Sequence, residues 1–178
     1  MRLRTPVGVA ALAAAIVLTG SAVAAGPLRA PGAGAPALQM DAPPAWKIKR
    51  VELFGASLAT ASAADRSGLV AIAMVPSGGA VPPLRDLAQA LAGATFGADV
   101  QSSPASLDGH AAEAFTATQP PKGAQPERHV RYLVARIDDH HVGLVVAVTA
   151  AGEPDAERKL VEDTAANVRV ISAARPAR

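Results

Sequence analysis

The sequence contains no cysteine, which excludes a disulfide, a thiol nucleophile and a lipid anchor attached through cysteine. Only 3% of the residues are aromatic, so a core must be built mainly from Val, Leu, Ile and Ala. Four catalytic signatures are also missing: a G-x-S-x-G elbow, a G-x-x-x-x-G-K-[ST] phosphate loop, a G-x-G-x-x-G motif after a strand, and an H-E-x-x-H zinc motif. The sequence therefore favours a protein that is not an enzyme and that needs no cofactor.

The first 25 residues have the pattern of a secretory signal peptide. Arg2 and Arg4 precede an unbroken apolar run over Val7–Leu18, and small residues then continue to Ala24 and Ala25. This pattern predicts cleavage after Ala24 or Ala25 and a periplasmic or secreted protein. The alternative is an uncleaved anchor, which would make the protein a membrane-tethered structural domain. Because a membrane-spanning helix needs about 20 apolar residues, the run favours cleavage and no stable insertion in a membrane.

Charge argues against a nucleic-acid partner. The chain has 17 Lys and Arg against 15 Asp and Glu, and loss of Arg2 and Arg4 with the signal would leave 15 of each sign. Nucleic-acid binding normally requires a clustered basic excess. The one local cluster, Lys47 to Arg50, is interrupted by Ile48 and followed by Glu52, as on the solvated face of a strand.

Composition divides the chain into four segments. After the signal peptide, residues 26–45 are rich in Pro, Gly and Ala and are predicted to form a flexible tether with no fold before Trp46. Residues 46–172 are long enough for a single domain with a real core. Residues 173–178 are predicted to be a disordered tail.

Hydrophobic patterns in the domain predict an α+β fold with a mostly antiparallel sheet covered by helices. The strands are predicted over 47–54, 57–62, 69–75, 112–118, 129–137 and 142–149, and the helices over 83–92 and 154–168. Gly93 is the predicted end of the first helix. In the second, Leu160, Thr164 and Val168 are predicted to be buried, while Arg158, Lys159, Glu162 and Asp163 form the solvated side.

Two acidic residues and two histidines stand side by side in the stretch RIDDHHVG, residues 136–143, in a chain with only four histidines. Asp138 to His141 lie between two predicted strands, where a four-residue hairpin loop is ordinary and where Asp and His tolerate the backbone conformations required. The alternative is a metal site built from His140, His141, Asp138 and His129. Since neighbouring residues on an extended chain point apart, the hairpin interpretation is favoured.

The segment LDGHAAEAF, residues 107–115, followed by a long hairpin and a closing helix that ends in NVRVI, resembles the PsbP-like family. The resemblance spans about residues 46–172 and implies an α/β/α sandwich. Known members of that family include an extrinsic photosystem subunit, a Ran-binding protein and periplasmic lipoproteins. The resemblance therefore implies a scaffold that binds other proteins, and it assigns no functional residues.

Together these features predict an exported, noncatalytic accessory or binding protein of the cell envelope, whose partner is another envelope protein. The open alternative is a small periplasmic metal-binding protein or hydrolase that uses the histidines. The exposed loop 119–126 and the hairpin tip 138–141 are the predicted binding surfaces.

Overall fold

A computed structural model describes residues 27–53, 56–65, 67–96, 100–121, 123 and 126–172 of the chain. The predicted signal peptide and its cleavage bonds at Ala24 and Ala25, and the predicted tail 173–178, lie outside these residues. The strands are β1 (Leu28–Ala30), β2 (Ala37–Met40), β3 (Lys47–Leu53), β4 (Ala56–Ser62), β5 (Gly68–Pro76), β6 (Ser103–Leu107), β7 (His110–Gln119), β8 (Arg128–Arg136), β9 (His141–Ala150) and β10 (Arg169–Ile171). The helices are α1 (Leu84–Phe96) and α2 (Asp155–Ala166).

Seven strands form the main sheet in the order β3-β4-β5-β9-β8-β7-β6, and every neighbouring pair is antiparallel. At its centre, β5 and β9 are buried along almost their whole length, as the apolar runs in both strands predict. The predicted α+β class with a mostly antiparallel sheet is confirmed at this broad level. The sequence did not predict a second, three-stranded antiparallel sheet in the order β1-β2-β10.

Helix α1 covers one face of the main sheet. Leu87, Ala88 and Leu91 are buried on the helix, at the spacing that places them on one side. They pack in a core that contains Phe115 and Tyr132. The helix continues through Gly93 to Phe96, so the predicted stop at Gly93 is wrong. A glycine inside a helix costs about 1 kcal/mol relative to alanine, and packing of the apolar side of α1 offsets that cost.

Helix α2 and the three-stranded sheet together cover the opposite face. The helix lies close to the start of β5: a Cβ on Gly68 would come within 2.6 Å of a methyl carbon of Val161. Trp46, the single tryptophan, is 8% exposed and packs into the same core. Glycine at position 68 therefore permits the closest approach between α2 and the sheet.

The prediction that no fold begins before Trp46 is wrong. Residues 28–40 contain two paired strands, in which Leu28 and Leu38 are fully buried and Met40 is 1% exposed. Burial of three large apolar side chains provides the free energy that orders a segment rich in Pro and Gly. The tether prediction relied on composition, which does not count the few apolar residues that reach the core.

The buried side of α2 also differs from the predicted one. Thr164 is buried as predicted, at 6% exposed, but the buried apolar residue of the helix is Val161, at 1% exposed, whereas Leu160 is 37% exposed. Val168 is buried as predicted, but it follows the helix and leads into β10. The helical repeat allows either Leu160 or Val161 to face the sheet. Because α2 lies above β5 and β9, Val161 is the residue that is buried.

The tight turn between β6 and β7 matches its sequence signal. Asp108 and Gly109 both have positive φ, of 48° and 83°, between β6 and β7, as the Asp-Gly pair predicts. The Asp108 carboxylate also accepts a 2.8 Å hydrogen bond from the backbone N–H of Val170 in β10. This turn therefore connects the edge of the main sheet to the three-stranded sheet.

Candidate functional site

The hairpin predicted at RIDDHHVG is present, with β8 ending at Arg136 and β9 beginning at His141. Within it, both carboxylate oxygens of Asp138 lie 2.9 Å from His141 Nδ1, and one accepts a 2.8 Å hydrogen bond from the backbone N–H of His140. Partial burial raises the pKa of Asp138, but these hydrogen bonds outweigh it and hold that pKa below its ordinary value. The Asp138 carboxylate thus closes the loop locally.

The hairpin tip is also fixed to the loop that leads into α1. The carbonyl oxygens of Asp139 and His140 accept hydrogen bonds from the backbone N–H groups of Val81 and Ser77, at 3.2 and 2.8 Å. Arg136 donates to the Val81 carbonyl at 2.9 Å. The tip residues therefore have a structural role, because they join the hairpin to the loop before α1.

The candidate metal ligands do not come together. Asp138 and His141 are in contact, and the His140 side chain is exposed. His129 lies at the opposite end of β8, roughly 25 Å away at the rise of an extended strand. Across the described residues, no group of three or more His, Asp or Glu side chains is close enough to hold a metal ion.

A large groove opens on the face of the main sheet that carries α2. It has a volume of about 780 Å³, with the helix as one wall and β6 to β9 as its floor and far edge. We call it the α2 groove, and its lining residues are Ala105–Asp108, Thr116–Thr118, His129–Arg131, Leu133, Val145, Ala147, Thr149, Arg158, Val161, Glu162, Ala165 and Ala166. This volume is typical of sites for small ligands.

Cross-strand pairing arranges the floor in three rows. Leu133 pairs with Val145 in the inner row, Arg131 pairs with Ala147 in the middle row, and His129 pairs with Thr149 in the outer row. Residues two apart on a strand share a face, which is why each strand contributes to all three rows. The floor therefore changes from apolar to polar along the strands.

Strand β7 extends the middle and outer rows with hydroxyl groups. Thr116 pairs with Arg131, and Thr118 pairs with His129. Both threonines are more accessible than the residues of β9, because β7 lies near the edge of the sheet. The outer half of the floor thus offers hydroxyl, imidazole and guanidinium groups side by side.

The helical wall contributes both apolar and charged groups. Val161 and Ala165 form its apolar part, and Arg158 and Glu162 lie one helical turn apart. Arg158 forms an ion pair with Asp155. Because α2 begins a few residues after β9 ends, Arg158 lies towards the outer row and Ala165 towards the inner row.

Sequence reasoning named His129 as a candidate residue but missed the groove. The sequence places Arg158 and Glu162 on the solvated side of α2, and both line the groove. The available signal was the polar residues at alternate positions of two neighbouring strands, Thr116 and Thr118 in β7 and His129 and Arg131 in β8. Such alternating polar residues indicate a strand face that α2 and the three-stranded sheet leave partly open.

The fold and the groove define a class: a single α+β domain with helices on both faces of an antiparallel sheet and an open, amphipathic groove beside one helix. In the described part of the chain, no helix is long and apolar enough to cross a membrane. No protein-family model and no curated protein matches the sequence.

This chain is similar to several solved structures, of which two are compared with it below. One is a crystal structure from Bacteroides thetaiotaomicron VPI-5482, with a TM-score of 0.48 and 12% identity over 76% of this chain and 45% of that one. The other is LpqN, involved in cell envelope biogenesis of Mycobacterium tuberculosis, with a TM-score of 0.44 and 11% identity over 77% of this chain and 84% of that one. The alignment thus spans less than half of the Bacteroides protein. Likenesses of this strength carry no conclusion about function.

Proposed function

We propose that this protein is an exported, noncatalytic binding protein of the cell envelope, and that the α2 groove is its binding surface. The groove is the observation that carries the proposal, because it combines the size of a ligand site with an apolar floor and polar groups at one end. The signal-peptide pattern of residues 1–25 supports export. A PsbP-like sandwich with an envelope protein as partner is the more specific form of this proposal.

The side chains of the groove support binding over catalysis. Its hydroxyl groups belong to Ser106, Thr116, Thr118 and Thr149, and none of them is hydrogen-bonded to a histidine or carboxylate within the described residues. A hydroxyl nucleophile needs such a base within hydrogen-bond reach. Apolar residues instead make up the inner floor and the middle of the helical wall, as in a site that holds a ligand by burial.

A neutral fluorescent probe tests the groove directly. N-phenyl-1-naphthylamine, which is apolar and uncharged, should bind the purified protein with increased fluorescence. Thr116→Trp places a large side chain in the middle row from an accessible strand position, and we expect it to reduce probe affinity at least about tenfold, the effect of removing roughly 1.4 kcal/mol of binding free energy.

The matched control is Ala111→Trp, which adds the same side chain at an exposed position of the same strand outside the groove. This variant should bind the probe as the wild type does. Equal binding by the wild type and both variants would place the apolar probe elsewhere, and absence of probe binding to the wild type would refute the groove as the binding surface.

A further inference from the structure

The two carboxylates that line the α2 groove each lie near a cation. Asp108 pairs with Arg169 at 3.5 Å, and Arg169 itself lies outside the groove. Glu162 follows Arg158 by four residues, the spacing at which side chains of opposite charge are neighbours on a helix. Each of these carboxylates thus has a cation other than Arg131 near it.

Arg131 is the second guanidinium that lines the groove, beside Arg158. Its position is the middle of the floor, between Thr116 on one neighbouring strand and Ala147 on the other. Within the described residues, no carboxylate forms an ion pair with Arg131 and no group accepts a hydrogen bond from its guanidinium. A guanidinium has five N–H donors in a planar fork that matches a carboxylate.

The surroundings of Arg131 divide the groove by polarity. On one side, the outer row supplies Thr118, His129 and Thr149, all able to hydrogen-bond to an anionic head group. On the other side, the inner row supplies Leu133 and Val145, which are apolar. A ligand that complements both sides has one anionic end and one aliphatic end.

We infer that the α2 groove binds a single-chain aliphatic carboxylic acid, with its carboxylate on the Arg131 guanidinium and its alkyl chain over the inner row. This inference rests on the proposed binding function. From Arg131 to Leu133 the floor spans roughly 7 Å at the rise of an extended strand, which supports the first carbons of the alkyl chain. Burial of that chain supplies affinity, and Arg131 supplies selection for the anion.

Displacement of N-phenyl-1-naphthylamine by matched ligands tests the inference. Decanoate and decanol share the alkyl chain and differ in charge. Decanoate should displace the probe at lower concentration than decanol from the wild type. Arg131→Gln should weaken decanoate binding roughly tenfold to a hundredfold, the range for loss of a hydrogen bond to a charged group, and should leave decanol binding unchanged.

Two further variants make the electrostatic test independent of folding. Glu162→Gln removes the nearby negative charge and should tighten decanoate binding without affecting decanol. Arg50→Gln, at an exposed position of β3 at the opposite edge of the sheet, should bind both ligands as the wild type does. Unchanged probe binding by each variant shows that the groove is intact.

The possible failures are distinguishable. If the probe binds but decanoate and decanol displace it equally, or Arg131→Gln leaves decanoate binding unchanged, the carboxylate inference is wrong while the binding function stands. Tighter binding of decyl phosphate than of decanoate would also overturn the carboxylate assignment. If neither the probe nor decanoate binds, both the inference and the proposed function are wrong.

Discussion

Tyr132, the single tyrosine, shows at the residue scale how the α1 side of the sheet is held together. Its ring stacks on Phe115 at a centroid distance of 4.8 Å and meets Phe96 edge-on at 5.8 Å. Burial raises the pKa of the Tyr132 phenol above its ordinary value of 10.0, and a hydrogen bond with the Thr95 side chain partly opposes this effect. The neutral phenol is therefore the form that the folded protein favours.

The raised pKa predicts a loss of stability in alkaline solution. Because the unfolded chain ionises near pH 10.0 and the folded protein only above it, the contribution of Tyr132 is complete below pH 10.0 and is lost as pH rises through the folded pKa. Tyr132→Phe should cost about 1 kcal/mol of unfolding free energy at neutral pH, through the lost hydrogen bond. The difference between the two proteins should shrink or reverse above pH 10.0.

Urea unfolding followed by the fluorescence of Trp46, at neutral and alkaline pH, measures this difference. Tyrosinate absorbance offers an independent reading, since no other tyrosine contributes. Equal loss of stability by the wild type and Tyr132→Phe with rising pH would show that other groups cause the alkaline effect.

At the element scale, the three-stranded sheet is the feature that composition did not predict. Strand β2 pairs with β1 on one side and β10 on the other, so it joins the start of the described chain to its end. The Leu38 side chain projects from β2 into the core, and one of its methyl carbons would lie 3.4 Å from a Cβ on Gly143 in β9. The main sheet therefore packs directly against β2.

Leu38→Ala should lower the unfolding free energy by about 2–5 kcal/mol, because it removes a fully buried side chain and leaves a cavity. Gln39→Ala, on the other side of the same strand, should change it by no more than about 0.5 kcal/mol. Thermal or urea unfolding measures both variants. A Leu38→Ala protein as stable as the wild type would mean that residues 37–40 are the flexible tether predicted from composition.

The elements differ in how well the sequence predicted them, for a physical reason. Strands β5, β8 and β9 are long, and their apolar patterns and turn residues agree, so sequence gives their positions within a few residues. Strands β1 and β10 have three residues each, too few for a pattern to repeat. Such short strands form because a neighbouring strand pairs with their backbone and because their side chains join a shared core. Both partners are distant in the sequence, so a short stretch of sequence does not show them.

At the scale of the whole molecule, the predicted signal peptide lies close in sequence to the first strand of the fold. The predicted cleavage bonds, after Ala24 or Ala25, lie only a few residues before Leu28, which is fully buried in the core. A protease needs an extended, accessible backbone at the bond that it cuts. We therefore predict that signal cleavage precedes the pairing of β1 with β2.

Expression of the whole chain with a C-terminal tag, followed by cell fractionation and mass spectrometry of the N-terminus, tests this prediction. The exported protein should begin at Ala25 or Gly26, and precursor that has folded in the cytoplasm should resist signal peptidase. Deletion of residues 2–18 should leave the protein unprocessed inside the cell. Recovery of the intact chain from the membrane fraction would instead support a retained anchor and a membrane-tethered domain.

The sequence by itself determined the broad α+β class, the central strands, the Asp-Gly turn before His110 and the hairpin at Asp138 to His141. These features depend on hydrophobic periodicity and turn chemistry between near neighbours, which a linear sequence contains. It also named His129 as a candidate metal ligand together with Asp138, His140 and His141, which lie at the opposite end of β8.

Only the tertiary structure decided which apolar residues before Trp46 enter the core, which side of α2 faces the sheet, and that Arg131 lies opposite that helix. Each depends on strand order and on the placement of one layer above another, and so on contacts between residues far apart in the chain. Hydrophobic burial is not directional, so a local pattern shows that a surface must be covered and leaves open what covers it. The α2 groove lies where the covering layer stops short of the sheet edge.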